Sequence, residues 1–456
     1  MNIKHLKLDR IQGPLVVMSN VGDVSYDEMV EIELMGNQRK KGKVVQIDGD
    51  KIVLQVFEGT DGFSVDNASV EFTGESMKIP VGNDMFGRIF NGVGEPIDGR
   101  WYYPDEKHDI LGRSLNPVAR VYPRNYIQTG ISSIDGLITL IRGQKLPIFS
   151  GDGISHNELA AQIIKQARLS EDEDNNFGIV FAAMGIKHDE YEFFKKEFVS
   201  AGVQNKVVMY VNLSDEPIVE RIATPRCALT AAEYLAFEQG MHVLVIMTNI
   251  TSYCEAIREL SSAKEEVPSR KGYPGYLYSD LASLYERAGI VKDSNGSITQ
   301  IPILTMPNDD ITHPIADLTG YITEGQILLS RELYQKNLLP PINILPSLSR
   351  LMKDGIGEKY TREDHADVSN QIFYAYSKVI QIRELAQVIG EDDLSDIDKL
   401  YMEFGRNMED RLINQGFNAN RSIYETLDLM WDLLRILPEN ELERISPELV
   451  KKYFYK

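Results

Sequence analysis

Eight consecutive residues, Ser150-Gly151-Asp152-Gly153-Ile154-Ser155-His156-Asn157, stand between an apolar run and a helical pattern, where a phosphate-binding loop would sit. A working loop of the G-x-x-x-x-G-K-[ST] kind wraps backbone N–H groups around phosphates, sets a Lys on the β/γ oxygens and offers a hydroxyl to magnesium. Here Ser155, His156 and Asn157 occupy the Gly, Lys and Ser/Thr places. The frame is kept and its charge is gone. Gly151 and Gly153 then read as a tight strand-to-helix turn, and His156 taken alone reads as a solvent-facing or capping residue.

A second segment with chemical content is Pro341-Ile342-Asn343-Ile344-Leu345-Pro346-Ser347-Leu348-Ser349-Arg350. An isolated Arg after such a Ser-x-Ser turn is ordinarily a surface ion pair worth about 0–1 kcal/mol. Cys227 and Cys254 are the two cysteines of the chain and lie in apolar or helical patterns, which reads as buried free thiols in a reducing compartment.

The elements that must position these residues change type along the chain. From 1 to 75 short strand-like runs at 14–18, 31–34, 43–47 and 52–57 are separated by Gly-Asn, Asp-Gly and Gly-Thr-Asp-Gly turns, which suits a small closed antiparallel barrel. A Gly-, Pro- and Asp-rich stretch from about 76 to 125 reads as an ordered connection. From about 126 to 355 apolar runs at 145–149, 178–183, 207–213, 243–247 and 301–306 alternate with helical periodicity. The first helix is expected over 158–169, with Leu159, Ile163, Ile164 and Ala167 on one face. Runs of this kind are strands buried on both faces of a parallel sheet.

After 356 the strand signals vanish. Helices are expected over 363–390 and 396–418, and a further one opens with the capping box Ser422 and Glu425, carries Ile423, Leu427, Met430, Trp431, Leu434 and Leu437 along one stripe, and stops at Pro438. Ser446-Pro447 reads as the N-cap and first position of a last helix. The chain is thus expected to be multidomain: a barrel over 1–75, an α/β nucleotide-binding-type core over 76–355 and a helical bundle over 356–456.

The bulk numbers narrow the partners. With 456 residues, 43% hydrophobic and 25% charged, the composition is that of globular protein. A net charge of −20 opposes nucleic-acid backbones and anionic lipid as main partners. Residues 1–10 lack the hydrophobic stretch of a signal peptide, and no run approaches bilayer-spanning length.

The segment 341–350 fits the rotary ATPase α/β signature of Pro, small or apolar, Asn/Asp, then Ser-x-Ser. It does so in company with Thr129-Gly130-Ile131-Ser132-Ser133-Ile134-Asp135-Gly136, Arg142-Gly143-Gln144-Lys145, Gly272-Tyr273-Pro274-Gly275-Tyr276-Leu277-Tyr278 and Tyr285-Glu286-Arg287-Ala288-Gly289. In order and spacing, from about residue 10 to the C-terminus, these segments resemble the B-subunit branch of the V/A-type rotary ATPases. The resemblance implies a RecA-like P-loop-type core and a subunit that does not hydrolyse ATP itself. Catalytic members carry the loop Lys and Thr, a water-polarising carboxylate where this chain has Ile186, and a magnesium-associated Asp where it has Thr248. Phosphoryl transfer depends on positioning and on charge neutralisation, and three charge-bearing parts are missing together.

By the same resemblance Arg350 points across a subunit boundary at nucleotide held by a catalytic A subunit, with Ser347 and Ser349 of the interface turn as candidate nucleotide-binding residues. A guanidinium suits that role because it is permanently charged and forked. The implied assembly is a hexamer of three A and three B subunits, with ATP or ADP and Mg at the interface held mainly by the A subunit. Central shaft subunits D and F, peripheral stalk subunits E and G and a membrane sector moving protons or sodium complete it, on the cytoplasmic face of a membrane. The acidic tract Glu391-Asp392-Asp393-Leu394-Ser395-Asp396-Ile397-Asp398 and the stretch 267–278 resemble surfaces that face the shaft. No metal is expected on the chain's own residues. Two other classes are weighed: a hydrolase with a variant loop, which needs a Lys for His156 and a carboxylate for Ile186, and a ring-shaped RNA motor, which the acidic balance opposes.

Overall fold

A computed structural model describes residues 4–5, 8–34, 38–66, 68–112, 115–169, 176–292 and 294–455. The first seven strands form one antiparallel sheet, running from Lys4–His5 through Ala68–Ser76, Glu28–Leu34, Arg39–Asp48, Lys51–Val56 and Leu15–Met18 to Arg10–Gln12. Period-2 alternation drives the roll into a barrel: Val30, Ile32 and Leu34 face one apolar interior with Val16, Met18, Val44, Ile52, Leu54, Val56 and Val70. The strand Ala68–Ser76, which pairs with Glu28–Leu34, is absent from the sequence reading because its outer half, Thr73-Gly74-Glu75-Ser76, carries no apolar alternation.

The connection that follows is ordered by one buried ion pair. Arg88 donates to both oxygens of Asp98, Nε to Oδ2 at 2.6 Å and Nη2 to Oδ1 at 2.8 Å, and also to the carbonyls of Arg100 and Trp101. The guanidinium thereby closes the Gly-rich turn back on the strand Ile89–Asn91.

That strand is one edge of the central sheet. From it the order continues through Val207–Leu213, Phe177–Ile186, His242–Thr248, Ser297–Met306, Ile148–Gly151 and Gly325–Leu329, all parallel, to the antiparallel edge strand Ile342–Ser349. Burial on both faces explains the continuous apolar runs: Ile179, Phe181 and Ala183 enter one core and Val180, Ala182 and Met184 the other. The first strand lies three residues later than the apolar run 145–149 suggests: Lys145 makes an isolated parallel bridge to Gln300, and Pro147, which has no N–H to give, separates that bridge from the strand.

The C-terminal helices His365–Ile389, Asp396–Asn407 and Ile423–Leu434 pack on the first of those cores, so the sheet face and the bundle share one apolar interior. The Ser422/Glu425 capping box is present in both directions. The last helix begins at Pro447 as the sequence reading expects, Pro447–Leu449 running on into a π turn over Val450–Phe454, but the Ser446 side chain makes no capping bond.

Candidate functional site

The helix after the degenerate loop spans His156–Gln166 and so begins two residues earlier than expected. Leu159, Ile163 and Ile164 bury its inner face as the periodicity requires. Gly151 ends the strand Ile148–Gly151, and Gly153 takes φ +74, the left-handed turn that a glycine supplies without steric cost.

None of the three substituted positions faces a ligand with charge. The His156 Nδ1 lies 2.9 Å from the Ile154 carbonyl and 3.3 Å from Ser150 Oγ, and burial lowers the imidazole's pKa, so the ring is neutral at neutral pH. Asn157 donates to Glu190 Oε1 at 2.8 Å, turned toward the helix His188–Ser200. The hydroxyl of Ser155 is buried and has no hydrogen-bond partner among the described residues.

The two other missing parts are equally closed. Ile186 is 3% exposed and belongs to the apolar core. Thr248 is 1% exposed with its hydroxyl unpaired among the described residues, and Asn249 after it caps the next helix by accepting from the Thr251 N–H.

Sequence reasoning missed what lies over the loop. Arg331 donates Nε to Asp309 Oδ2 at 2.6 Å and Nη2 to Asp309 Oδ1 at 2.8 Å, and the same Nη2 reaches the Asp152 carbonyl at 3.0 Å. A Cβ built on Gly151 would stand 1.9 Å from Asp309 Oδ1 and 2.7 Å from Arg331 Nη2. The guanidinium holds the Asp309 carboxyl below the usual carboxylate range. The two residues are 22 apart and follow different strands, so no local pattern announces the pair.

Arg350 lies elsewhere. Ser349 is level with Gly325 across the edge ladder, while Ile148 is level with Ile327. At ~3.3 Å per residue this sets Arg350 and Gly151 at opposite ends of the sheet, about 20 Å apart along the strands. The Arg350 side chain is exposed and forms no ion pair among the described residues; Nη1 makes one long bond, 3.3 Å, to the Thr323 carbonyl.

Its backbone is held firmly: the N–H donates to the Glu324 carbonyl at 2.9 Å, and the same carbonyl accepts from Gln144 Nε2 at 3.0 Å. Lys145, 3% exposed, reaches Glu324 at 2.8 Å and Glu286 at 2.9 Å. Ser349 Oγ accepts from Gln144 Nε2 at 2.9 Å, and buried Ser347 donates to the Asn343 carbonyl at 2.5 Å while accepting from the Leu328 N–H at 2.8 Å. Both hydroxyls therefore fix the strand that carries Arg350.

For metals, one group among the described residues brings three donor atoms within 4.8 Å of one another, Glu106, His108 and Glu238. It is a surface cluster far in sequence from the loop, with His108 Nε2 at 3.1 and 3.6 Å from the two carboxylates. Among the described residues no helix is long and apolar enough to cross a membrane.

Three family models match the chain in succession. They are the beta-barrel domain of the ATP synthase alpha/beta family at residues 9–74, the nucleotide-binding domain of that family at 130–349, and the C-terminal domain of V and A type ATP synthase at 354–454. A V-type ATP synthase beta chain 2 of Clostridium tetani is 66% identical over 456 residues, covering 100% of this chain and 99% of that protein. A V-type ATP synthase beta chain of Halothermothrix orenii is 61% identical over 97% of this chain and 96% of its own length, and the A-type ATP synthase B subunit of Aeropyrum pernix is 56% identical over 99% and 98%. Among solved structures, the ATP synthase subunit NeqB from Nanoarcheaum equitans superposes with a TM-score of 0.74 at 39% identity, over 92% of this chain and 98% of that one.

Proposed function

This chain belongs to the ATP synthase alpha/beta family, in its V/A-type B-subunit (beta-chain) branch, and we propose that it serves there as the non-catalytic, regulatory member of an alternating ring with catalytic A subunits. The observation that carries this reading is Arg350: an exposed guanidinium without an ion pair among the described residues, on a backbone pinned by Glu324 and Gln144, at the end of the sheet remote from a loop stripped of its own charge.

The chemistry follows from that arrangement. Arg350 keeps most of its N–H donors uncommitted, so a neighbouring subunit's phosphoryl oxygens would meet a charged, planar fork without a competing carboxylate to displace. Such a finger supplied in trans is worth roughly 10³ to 10⁵ in rate, or about 4–7 kcal/mol of barrier. ATP or ADP with Mg would be held at the interface mainly by the A subunit. Ser347, Ser349, Gln144 and Lys145 act by fixing the position of the finger.

In the assembly this reading requires, the subunit sits at the cytoplasmic face of a membrane and coupling to proton or sodium movement resides in the other subunits. The exposed Leu385, Val388 and Ile389 at the end of the long C-terminal helix, next to the acidic turn before Ser395, and the exposed Val267, Tyr276 and Tyr278 are the surfaces we assign to the D and F shaft. The peripheral stalk of E and G is a partner of the whole ring.

The test is reconstitution with a catalytic A-type partner. Arg350→Ala is expected to leave the hexamer intact by native mass measurement while ATP turnover falls at least about 10³-fold. Unchanged turnover overturns the assignment, and robust Mg-dependent turnover by the isolated chain overturns the non-catalytic reading.

A further inference from the structure

The ion pair over the degenerate loop is placed where a bound anion would be. Arg331 follows the strand Gly325–Leu329 and Asp309 follows Ser297–Met306, and these two strands flank Ile148–Gly151 on either side in the sheet. The pair therefore bridges the two neighbours across the mouth of the loop. Gly151 makes room for it, since any side chain there would collide with Asp309 Oδ1.

The geometry around Arg331 is that of a guanidinium holding an oxyanion. Two parallel N–H bonds go to the two carboxylate oxygens, 2.6 and 2.8 Å, and the remaining contact anchors the guanidinium to the loop backbone at Asp152. Planar bidentate recognition of this kind serves carboxylate and phosphate alike. The loop supplies no other cation: His156 is half-buried and turned to the Ile154 carbonyl, and Asn157 is turned to Glu190. Ser155 leaves a hydroxyl without a partner among the described residues in the same turn, 8% exposed.

We propose that the degenerate loop is an oxyanion site whose occupant is the chain's own Asp309 carboxylate, held by Arg331. The site is closed to phosphate by this tethered ligand and opens to inorganic phosphate or pyrophosphate when Asp309 is removed. The inference does not depend on Arg350, which lies at the other end of the sheet, so the hydrolysis test of the finger and the binding test below fail independently.

The backbone at Asp309 selects the substitution. Its φ is +56, a conformation that glycine adopts freely and alanine does not, so Asp309→Gly removes the carboxylate without adding strain. Pyrophosphate is titrated calorimetrically, at low ionic strength, into the full chain, the Asp309→Gly variant and the Asp309→Gly/Arg331→Gln double variant. The expected result is binding at least tenfold tighter in Asp309→Gly than in the native chain, returning to the native level in the double variant.

Affinity within twofold of native in a folded Asp309→Gly overturns the proposal, as does a gain that survives loss of Arg331. Should Asp309→Gly not fold, Asp309→Asn keeps the shape and removes the charge. A tenfold gain there supports the proposal and no gain overturns it.

Discussion

The backbone N–H of Arg350 donates to the carbonyl of Glu324 at 2.9 Å, and the side chain of Glu324 in turn holds the buried ammonium of Lys145. The exposed Arg350 guanidinium is thus tied through a single residue to a charge inside the protein. Lys145→Met would leave Glu324, partly in contact with solvent, without its cation, while Glu286 keeps Arg120 at 2.8 Å. We expect a loss of about 3 kcal/mol in urea unfolding, at the low end for breaking a buried pair because the carboxylates can still be hydrated. In the reconstituted ring the same variant is expected to lower turnover with the nucleotide KM little changed, the signature of a displaced finger.

Stability should depend on pH through His365. This residue is fully buried between the Gly136 carbonyl and Thr361, and burial pushes its imidazole down to about 4. An unfolded His titrates near 6.5, so between those values the unfolded chain binds a proton that the folded chain does not. The contribution is complete above about pH 6.5 and is lost as pH falls toward 4, amounting to about 2 kcal/mol between pH 8 and 5. Asp135, whose carboxyl burial pushes up to about 7, acts with the opposite sign over an overlapping range because its folded form takes up the proton first. Comparing the native chain with His365→Gln at each pH isolates the first effect: the gap between the two should change by about 2 kcal/mol from pH 8 to 5.

Local signals survived where local physics decides. The capping box at Ser422 was legible because both of its bonds join residues three apart, and the stripe from Ile423 to Leu434 needed only periodicity, though the helix ends there and Leu437 is buried from the turn beyond it. The buried parallel strands were legible from apolar composition alone, with ends displaced by a few residues. What could not be read was long-range charge. Arg287 stood out only as part of a segment, yet its side chain is buried, bidentate to Glu233 at 2.6 Å on each arm, and bonded to the Ile110 carbonyl. Its partners lie 54 and 177 residues away, and no spacing rule connects them. The Asp309–Arg331 pair escaped for the same reason.

Ser422 allows that local reading to be checked quantitatively. Its Oγ accepts from the Glu425 N–H at 3.2 Å, and Glu425 Oε2 accepts from the Ser422 N–H at 2.7 Å. The helix it starts buries Leu427, Met430, Trp431 and Leu434 in the core shared with the central sheet, so a frayed first turn is felt by the whole chain. Ser422→Ala should cost about 1 kcal/mol of unfolding free energy, and Ser422→Gly only a few tenths, measured by chemical denaturation. Equal losses for Ala and Gly would mean that the hydroxyl is not what caps the helix.

Restoring the loop letters alone should not restore an enzyme. The triple change Ser155→Gly, His156→Lys and Asn157→Thr rebuilds the Gly-Lys-Thr end of a phosphate loop, with Ser150 still at the place of its first glycine, and each of its neighbours still opposes the reaction. Ile186 remains an apolar core residue where water would need a carboxylate, and Thr248 remains a buried neutral hydroxyl where magnesium would need charge. The Asp309 carboxylate and Arg331 still close the mouth of the loop beside Gly151. The new Lys would enter a half-buried pocket next to Glu190, whose bond from Asn157 is lost in the same change, and an ion pair between the two is the nearest way to satisfy both groups. We expect no Mg-dependent ATP hydrolysis above the native chain in a coupled assay on the isolated triple variant. Adding Asp309→Gly should raise pyrophosphate binding without raising turnover, because the position is then open while the carboxylates for water and magnesium are still missing. Turnover in the triple variant alone would show that the loop, and not Ile186 and Thr248, is the decisive loss.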